Sequence, residues 1–313
     1  MHYTTLGRTG LRVSVAGLGC GGPSRLGQST GRSEDESIAV VKTAIDSGIN
    51  LLDTAEVYGT EEIVGKAIAG IGRDDVVVAT KAWWQNREGG IRSASGLGRS
   101  LDRSLSKLQT DRVDIYFLHG VTPDVYEDVR DALVPALERF RADGKVRFIG
   151  VTEHFGSDTR HEMLRRALHD DWIDVVMLGF SILNQSARDT VFPLTREKGV
   201  GTLDMFAVRR ALSRLEDLRA LVDDLSRSGL LDGELDPDDP LGFLVHEGGA
   251  VGTVDAAYRF CRDEPGIDVV LTGTGSTEHL KENVTSLERP SLPDADLARL
   301  RDVFARVDSV SGN

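Results

Sequence analysis

Residues 146–180 read VRFIGVTEHFGSDTRHEMLRRALHDDWIDVVMLGF. The two ends, VRFIGVT and IDVVMLGF, are short, largely apolar and rich in β-branched residues, without strict alternation. Such runs read as strands covered on both faces, and the intervening HEMLRRALHDDW has apolar residues at helical spacing. One strand, one helix and one strand in so short a span is the pattern of a parallel βαβ unit. The pattern recurs along the chain. VSVAGLG, INLLD, VVVATK, VDIYFLH, VGTLDMF and IDVVLTG bring the strand-like runs to eight. DESIAVVKTAIDSG and DALVPALERFRADG read as helices, and GRSLDRSLSKLQ places Leu101, Leu105 and Leu108 on one helical stripe. Eight such units in 313 residues predict an α/β fold, a (β/α)8 TIM barrel forming a single domain over residues 1–313. An open doubly wound sheet is the competing architecture. Against it, GLGCGG (17–22) lacks the G-x-G-x-x-G spacing, and no acidic residue closes a second strand in the context that fingerprint requires.

Residues 209–251 break the rhythm. An amphipathic helix pattern, RALSRLEDLRALVDDLSRSGLL, leads into an acidic loop, DGELDPDDPLG. In a barrel this is an insertion between the seventh strand and its helix, too short for a core of its own. The chain carries a net charge of -13, so a polyanion-binding surface is disfavoured and no nucleic-acid partner is expected. No apolar run approaches the ~20 residues of a membrane span, and MHYTTLGRTGLRVSV lacks the apolar core of a secretory signal. Two distant cysteines, Cys20 and Cys261, read as free thiols, which makes the cytoplasm the expected compartment. Oligomeric state is open at this level.

Barrel chemistry sits at the C-terminal ends of the strands. The second run ends at Asp53, the third at Lys81 and the fourth at His119, and Tyr58 follows on the loop after the second. Singly, each has an ordinary explanation: a cap, a snorkelling lysine, a structural histidine, a packed tyrosine. Together they make a chemical set. A buried lysine needs a carboxylate, which Asp53 can supply. An ammonium beside a phenol favours phenolate, so Lys81 is expected to lower the Tyr58 pKa and make it a proton donor near neutral pH. His119 can hydrogen-bond the oxygen that receives the proton. Side chains supply no hydride, so a cofactor must. LTGTGSTEHLKEN (271–283), a Gly-rich turn opening a helix, offers an anion site after the eighth strand.

Taken in order, LLDTAEVYG, VVVATKAW, DIYFLHG, GKVRFIGVT and LTGTGSTEHLKENV resemble the aldo-keto reductases. YTTLGRTGLRVSVAGLG resembles that family's N-terminal β-hairpin and first strand. The resemblance runs from about Tyr3 to Leu287. It implies a barrel that binds an extended nicotinamide cofactor, a catalytic tetrad of Asp53, Tyr58, Lys81 and His119, and reversible reduction of aldehydes and ketones. A small carbonyl or sugar substrate follows. Three positions depart from the family. Thr152-Glu153 stands where Ser-Asn holds the carboxamide, Met177 replaces a glutamine, and Met205, next to Phe206, replaces the aromatic that stacks on the nicotinamide. Gly19, Cys20 and Gly21 match the stretch near the cofactor ribose. Glu282 and Asn283 match adenine contacts, and Gly273, Ser276, Thr277 and His279 match the 2′ end. No Arg or Lys stands at the matching positions, so the expectation is NADP(H) slightly favoured, NAD(H) possible, with weak discrimination and no metal.

Trp83, Trp84 and His154 are candidate substrate contacts, with one of the two tryptophans facing the mouth and the other packed outward. His161 and His169 read as solvated helix residues and not as metal ligands. A non-catalytic, cofactor-binding regulatory subunit of the same fold is the alternative function. A barrel hydrolase or isomerase built on Asp53 would leave Tyr58, Lys81 and His119 unexplained.

Overall fold

The computed structural model describes residues 1–313. An antiparallel hairpin of β1 (Tyr3–Thr5) and β2 (Arg12–Ser14) precedes the barrel. Eight parallel strands then close on themselves: β3 (Ala16–Gly19), β4 (Leu51–Asp53), β5 (Val77–Trp83), β6 (Val113–Val121), β7 (Val146–Glu153), β8 (Val175–Leu178), β9 (Gly201–Asp204) and β10 (Val269–Thr272), with β10 bonded to both β9 and β3. Closure leaves the barrel without a free edge.

Side chains alternate across each strand, and this sorts the core into two layers. Leu51, Val77, Ala79, Ile115, Phe117, Val175, Met177, Leu203, Val269 and Leu271 point into the barrel, and Leu6, Leu11 and Val13 of the hairpin close its floor. Leu52, Val78, Ile149 and Val176 point outward and join the larger core under the helices. Both faces are therefore apolar, which is why the strands lack an alternating pattern.

The helices are α1 (Glu34–Asp46), α2 (Glu61–Ile68), α3 (Ala94–Leu108), α4 (Tyr126–Ala142), α5 (Glu162–Ala167), α6 (Ala187–Thr190), α7 (Phe192–Lys198), α8 (Arg210–Ser213), α9 (Leu215–Arg227), α10 (Thr253–Arg262), α11 (Thr277–Glu288) and α12 (Asp294–Val303). A capping box starts α1: Ser33 Oγ accepts from the Glu36 N–H, and the Glu36 carboxylate accepts from the Ser33 N–H. Leu101, Leu105 and Leu108 lie on the buried face of α3, as their spacing predicts.

Two helical patterns resolve differently. HEMLRRALHDDW yields only α5, because the chain must turn at residues 168–172 to enter β8. The amphipathic run after β9 is not one helix: Arg214 is extended (φ -137, ψ 115) and separates α8 from α9. The insertion before α10 is confirmed, and its acidic stretch carries no helix or strand before Gly242. No helix is long and apolar enough to cross a membrane.

Candidate active site

The inward positions just above the apolar layer carry the polar set. On β4 Leu51 is followed by Asp53, on β5 Ala79 by Lys81, and on β6 Phe117 by His119. The pleat thus turns all three side chains inward at the C-terminal ends of adjacent strands, each two residues further along than the partner of the one before. Lys81 is fully buried, and its Nζ lies 2.7 Å from both carboxylate oxygens of Asp53 and 2.9 Å from the Thr54 carbonyl. Burial works against the ammonium, but the Asp53 carboxylate, joined by Tyr58 once its phenol ionises, outweighs it and holds the Lys81 pKa above its ordinary value. Lys81 Nζ lies 4.8 Å from the centre of the Tyr58 ring.

Tyr58 Oη and His119 Nε2 are 3.4 Å apart, and the rings meet edge to face. Burial depresses the His119 pKa to about 3, aided by Lys81, so the imidazole is neutral at physiological pH. The expected lowering of the Tyr58 pKa is not found. Burial pushes the phenol above its ordinary value, and Lys81 offsets only part of that. Tyr58 is therefore a protonated phenol at neutral pH, which suits a proton donor.

A residue that the sequence reading passed over fixes this geometry. Glu56, inside LLDTAEVYG, donates its N–H to the Lys81 carbonyl (3.0 Å) and accepts from the Trp83 N–H (3.0 Å). Its carboxylate also takes Ser100 Oγ (2.7 Å) and Arg92 (2.9 Å). Burial opposes the charge, yet these partners hold the Glu56 carboxyl below its ordinary range. The Tyr58 loop is thereby stitched to the end of β5. Nothing in its spacing marks Glu56, because the partners come from three separate segments.

The four residues open onto, or lie directly under, one cleft of about 1740 Å³. That exceeds the roughly 300–1,000 Å³ of an ordinary small-ligand pocket, so the cleft has room for an elongated ligand. Asp53, Tyr58, His119 and Trp83 line it, as do His279, Glu282 and Asn283 of α11. Gly19, Gly21, Thr152, Glu153, Met177, Met205, Gly273 and His154 line it as well. Gly21 has to be glycine, since a Cβ there would stand 2.4 Å from the Tyr58 ring. A row of open backbone at Gly19, Gly21 and Gly273 beside a long groove fits a dinucleotide.

Several candidates are placed elsewhere. The Cys20 thiol is buried against the Leu18 carbonyl and does not line the cleft. Trp84 packs outward and donates Nε1–H to the Gly120 carbonyl (3.2 Å), while Trp83 faces the mouth beside His119. Ser276 and Thr277 are also absent from the cleft lining, and both hydroxyls donate to Glu278, at 2.9 and 3.0 Å. His161 is not solvated. It is fully buried, with Nδ1 2.8 Å from Glu153 Oε2; His169 is exposed as expected. No cluster of three or more potential metal ligands occurs.

Asp204, at the end of β9, is a second residue missed from sequence. It is buried; Oδ1 accepts from the Phe180 and Phe206 N–H groups, both at 3.1 Å, and Oδ2 has no partner. Burial pushes its carboxyl from 3.8 up to about 7. The folded protein therefore keeps a proton that the unfolded chain releases between those two values. Asp204 stabilises the fold fully below about pH 4, and this contribution declines as pH rises to about 7, by at most ~1.4 kcal/mol per pH unit. Urea unfolding of wild type and Asp204→Asn across that window checks this, with the slope expected to be shallower in the variant by up to ~1.4 kcal/mol per pH unit.

The geometry agrees with the relatives. The aldo/keto reductase family model matches residues 18–305. L-galactose dehydrogenase of Arabidopsis thaliana is 29% identical, over 99% of this chain and 95% of its own. An uncharacterized oxidoreductase of Bacillus subtilis, YqkF, is 26% identical over 96% of both chains. The solved aldo-keto reductase AKR11C1 from Bacillus halodurans, in its holo form, superposes with a TM-score of 0.72 at 25% identity, covering 99% of this chain and 97% of that one. On this whole-chain match, together with the closed barrel and its N-terminal hairpin, the chain belongs to the aldo/keto reductase family.

Proposed function

We propose that this chain catalyses reversible hydride transfer between a nicotinamide cofactor and the carbonyl or alcohol carbon of a small aldehyde, ketone or aldose. The observation that carries the reading is the convergence of Lys81–Asp53, Tyr58 and His119 on a cleft roomy enough for a dinucleotide. The cofactor supplies the hydride when bound. Tyr58 gives its phenolic proton to the carbonyl oxygen, and the neutral His119 donates a hydrogen bond to the same oxygen from Nε2. Lys81, held charged by Asp53, stabilises the phenolate that results. Trp83 walls the mouth next to His119, and His154 lines the same cleft. Similarity to L-galactose dehydrogenase supports the aldose member of the substrate class. The complete tetrad speaks against a purely regulatory subunit.

Fluorescence titration with NADPH and NADH, followed by a panel of sugars, aldehydes and ketones in both directions, tests the proposal. Cofactor binding with turnover of at least one carbonyl is the expected result. Binding without turnover on any member would favour the regulatory alternative.

Discrimination between the two cofactors should be weak, below ~100-fold either way. Gly273 and His279 line the cleft at the matching 2′ positions, but the hydroxyls of Ser276 and Thr277 already serve Glu278. Glu278 does not itself line the cleft, but it holds these two hydroxyl donors away from a 2′-phosphate, which moves the balance from NADP(H) toward NAD(H). Glu278→Gln should improve NADP(H) affinity about three- to tenfold relative to NAD(H), a modest factor because the group is exposed and screened. Dissociation constants for both reduced cofactors check it.

A further inference from the structure

The reaction just described gives no task to a buried acid on the cleft wall. Glu153 ends β7, is 2% exposed and lines the cleft with Thr152, Met177 and Met205. Its carboxylate accepts from the Gly179 N–H (2.8 Å) and from His161 Nδ1 (2.8 and 3.1 Å). It makes no ion pair with Lys or Arg; His161 is its one basic partner.

The charge state of His161 decides the net charge of the pair. His161 is fully buried, lies in the left-handed region (φ 59) and stacks on Phe155 at 5.3 Å. Its Nε2 is buried with no hydrogen-bond partner. An imidazolium would strand a charged N–H donor there, whereas a neutral ring with its proton on Nδ1 strands only a lone pair. Burial pushes the Glu153 carboxyl above its ordinary value, and the His161 and Gly179 N–H groups aimed at it work against that shift and stabilise its ionised form. With Glu153 ionised the pair carries one net negative charge, and the flanking Met177 and Met205 bring no charge to offset it.

Resting on the hydride-transfer reading above, we propose that Glu153 places an uncompensated negative charge on the wall of the nicotinamide end of the cleft, so that this chain holds the cationic, oxidised cofactor more tightly relative to the neutral, reduced one than an uncharged side chain would. The overall reaction equilibrium is fixed by the reactants and does not change. The on-enzyme equilibrium shifts toward carbonyl reduction, the direction that generates the more tightly held oxidised cofactor: the carbonyl carbon gains the hydride as its oxygen takes the proton of Tyr58. Unit charges several ångströms apart at an effective dielectric near ~20 shift such an equilibrium by roughly tenfold or more.

Direct binding tests this without turnover. Dissociation constants for NADP+ and NADPH are measured by calorimetry in wild type and in Glu153→Gln, which keeps the length and an acceptor oxygen but removes the charge. The variant should weaken NADP+ relative to NADPH by about tenfold. An unchanged ratio with both forms bound overturns the inference and leaves the hydride-transfer reading standing. Failure of wild type to bind either form overturns that reading and this inference with it. Should Glu153→Gln not fold, the wild-type protein decides the matter alone. NAD+ should bind about tenfold tighter than benzamide adenine dinucleotide, whose ring is of similar shape but uncharged, and equal affinity would overturn the inference.

Discussion

Replacing Tyr58 with phenylalanine lowers kcat by at least ~100-fold while leaving folding and cofactor affinity nearly unchanged. The substitution deletes one oxygen from a half-buried ring whose packing against Gly21, Lys81 and His119 is otherwise retained. No other group can take over as proton donor. His119 is neutral, with its pKa depressed to about 3, and Lys81 is engaged by Asp53 and the Thr54 carbonyl. Because burial raises the Tyr58 pKa, the reduction rate of the wild-type enzyme should be flat across neutral pH and fall only on the alkaline side. Steady-state rates with a generic aldehyde, beside a urea melt of the same protein, separate lost chemistry from lost folding. A variant within a few-fold of wild type would remove Tyr58 from the mechanism.

Lys81→Met has the second large effect, and it acts on stability as well as rate. The substitution leaves the Asp53 carboxylate buried without its charge partner, and breaking a buried pair in this way costs about 3–5 kcal/mol. For a chain of this size that lowers the melting temperature by roughly 5–8 °C. Turnover should also drop by ~100-fold or more, since the phenolate loses its stabilising cation. Removing the stranded charge separates the two effects. The double variant Asp53→Leu/Lys81→Met should regain much of the stability and none of the turnover. Recovery of turnover in the double variant would show that Lys81 matters only for folding.

The fold was legible because it follows from period and order. Eight apolar runs alternating with helical patterns allow few closed solutions, and VRFIGVT and IDVVMLGF land on β7 and β8. Asp53, Lys81 and His119 were legible for a related reason: each interrupts an apolar run at the same end of its strand, and the pleat turns that position inward. What escaped depends on partners brought together only in three dimensions. The role of Glu56 comes from Trp83, Arg92 and Ser100. His161 looks like a surface helix residue until its left-handed backbone turns it onto Glu153. The direction of the Tyr58 pKa was misjudged because the nearby cation was visible in the sequence, whereas the depth of burial that outweighs it was not. At α11 the Gly-rich turn and helix are where the sequence places them, yet the Ser276 and Thr277 hydroxyls are directed to Glu278, a local contact that no motif encodes.

The most direct test of hydride transfer at this cleft uses NADPH and NADH labelled with deuterium at nicotinamide C4, one label position at a time, with 4-nitrobenzaldehyde or an aldose as acceptor and mass spectrometry of the alcohol formed. One of the two labelled positions should deliver a single deuterium to the carbinol carbon for each cofactor oxidised, and Tyr58→Phe should slow that transfer at least ~100-fold. Alcohol formed without deuterium from either position, or transfer that proceeds equally fast in Tyr58→Phe, would contradict the account.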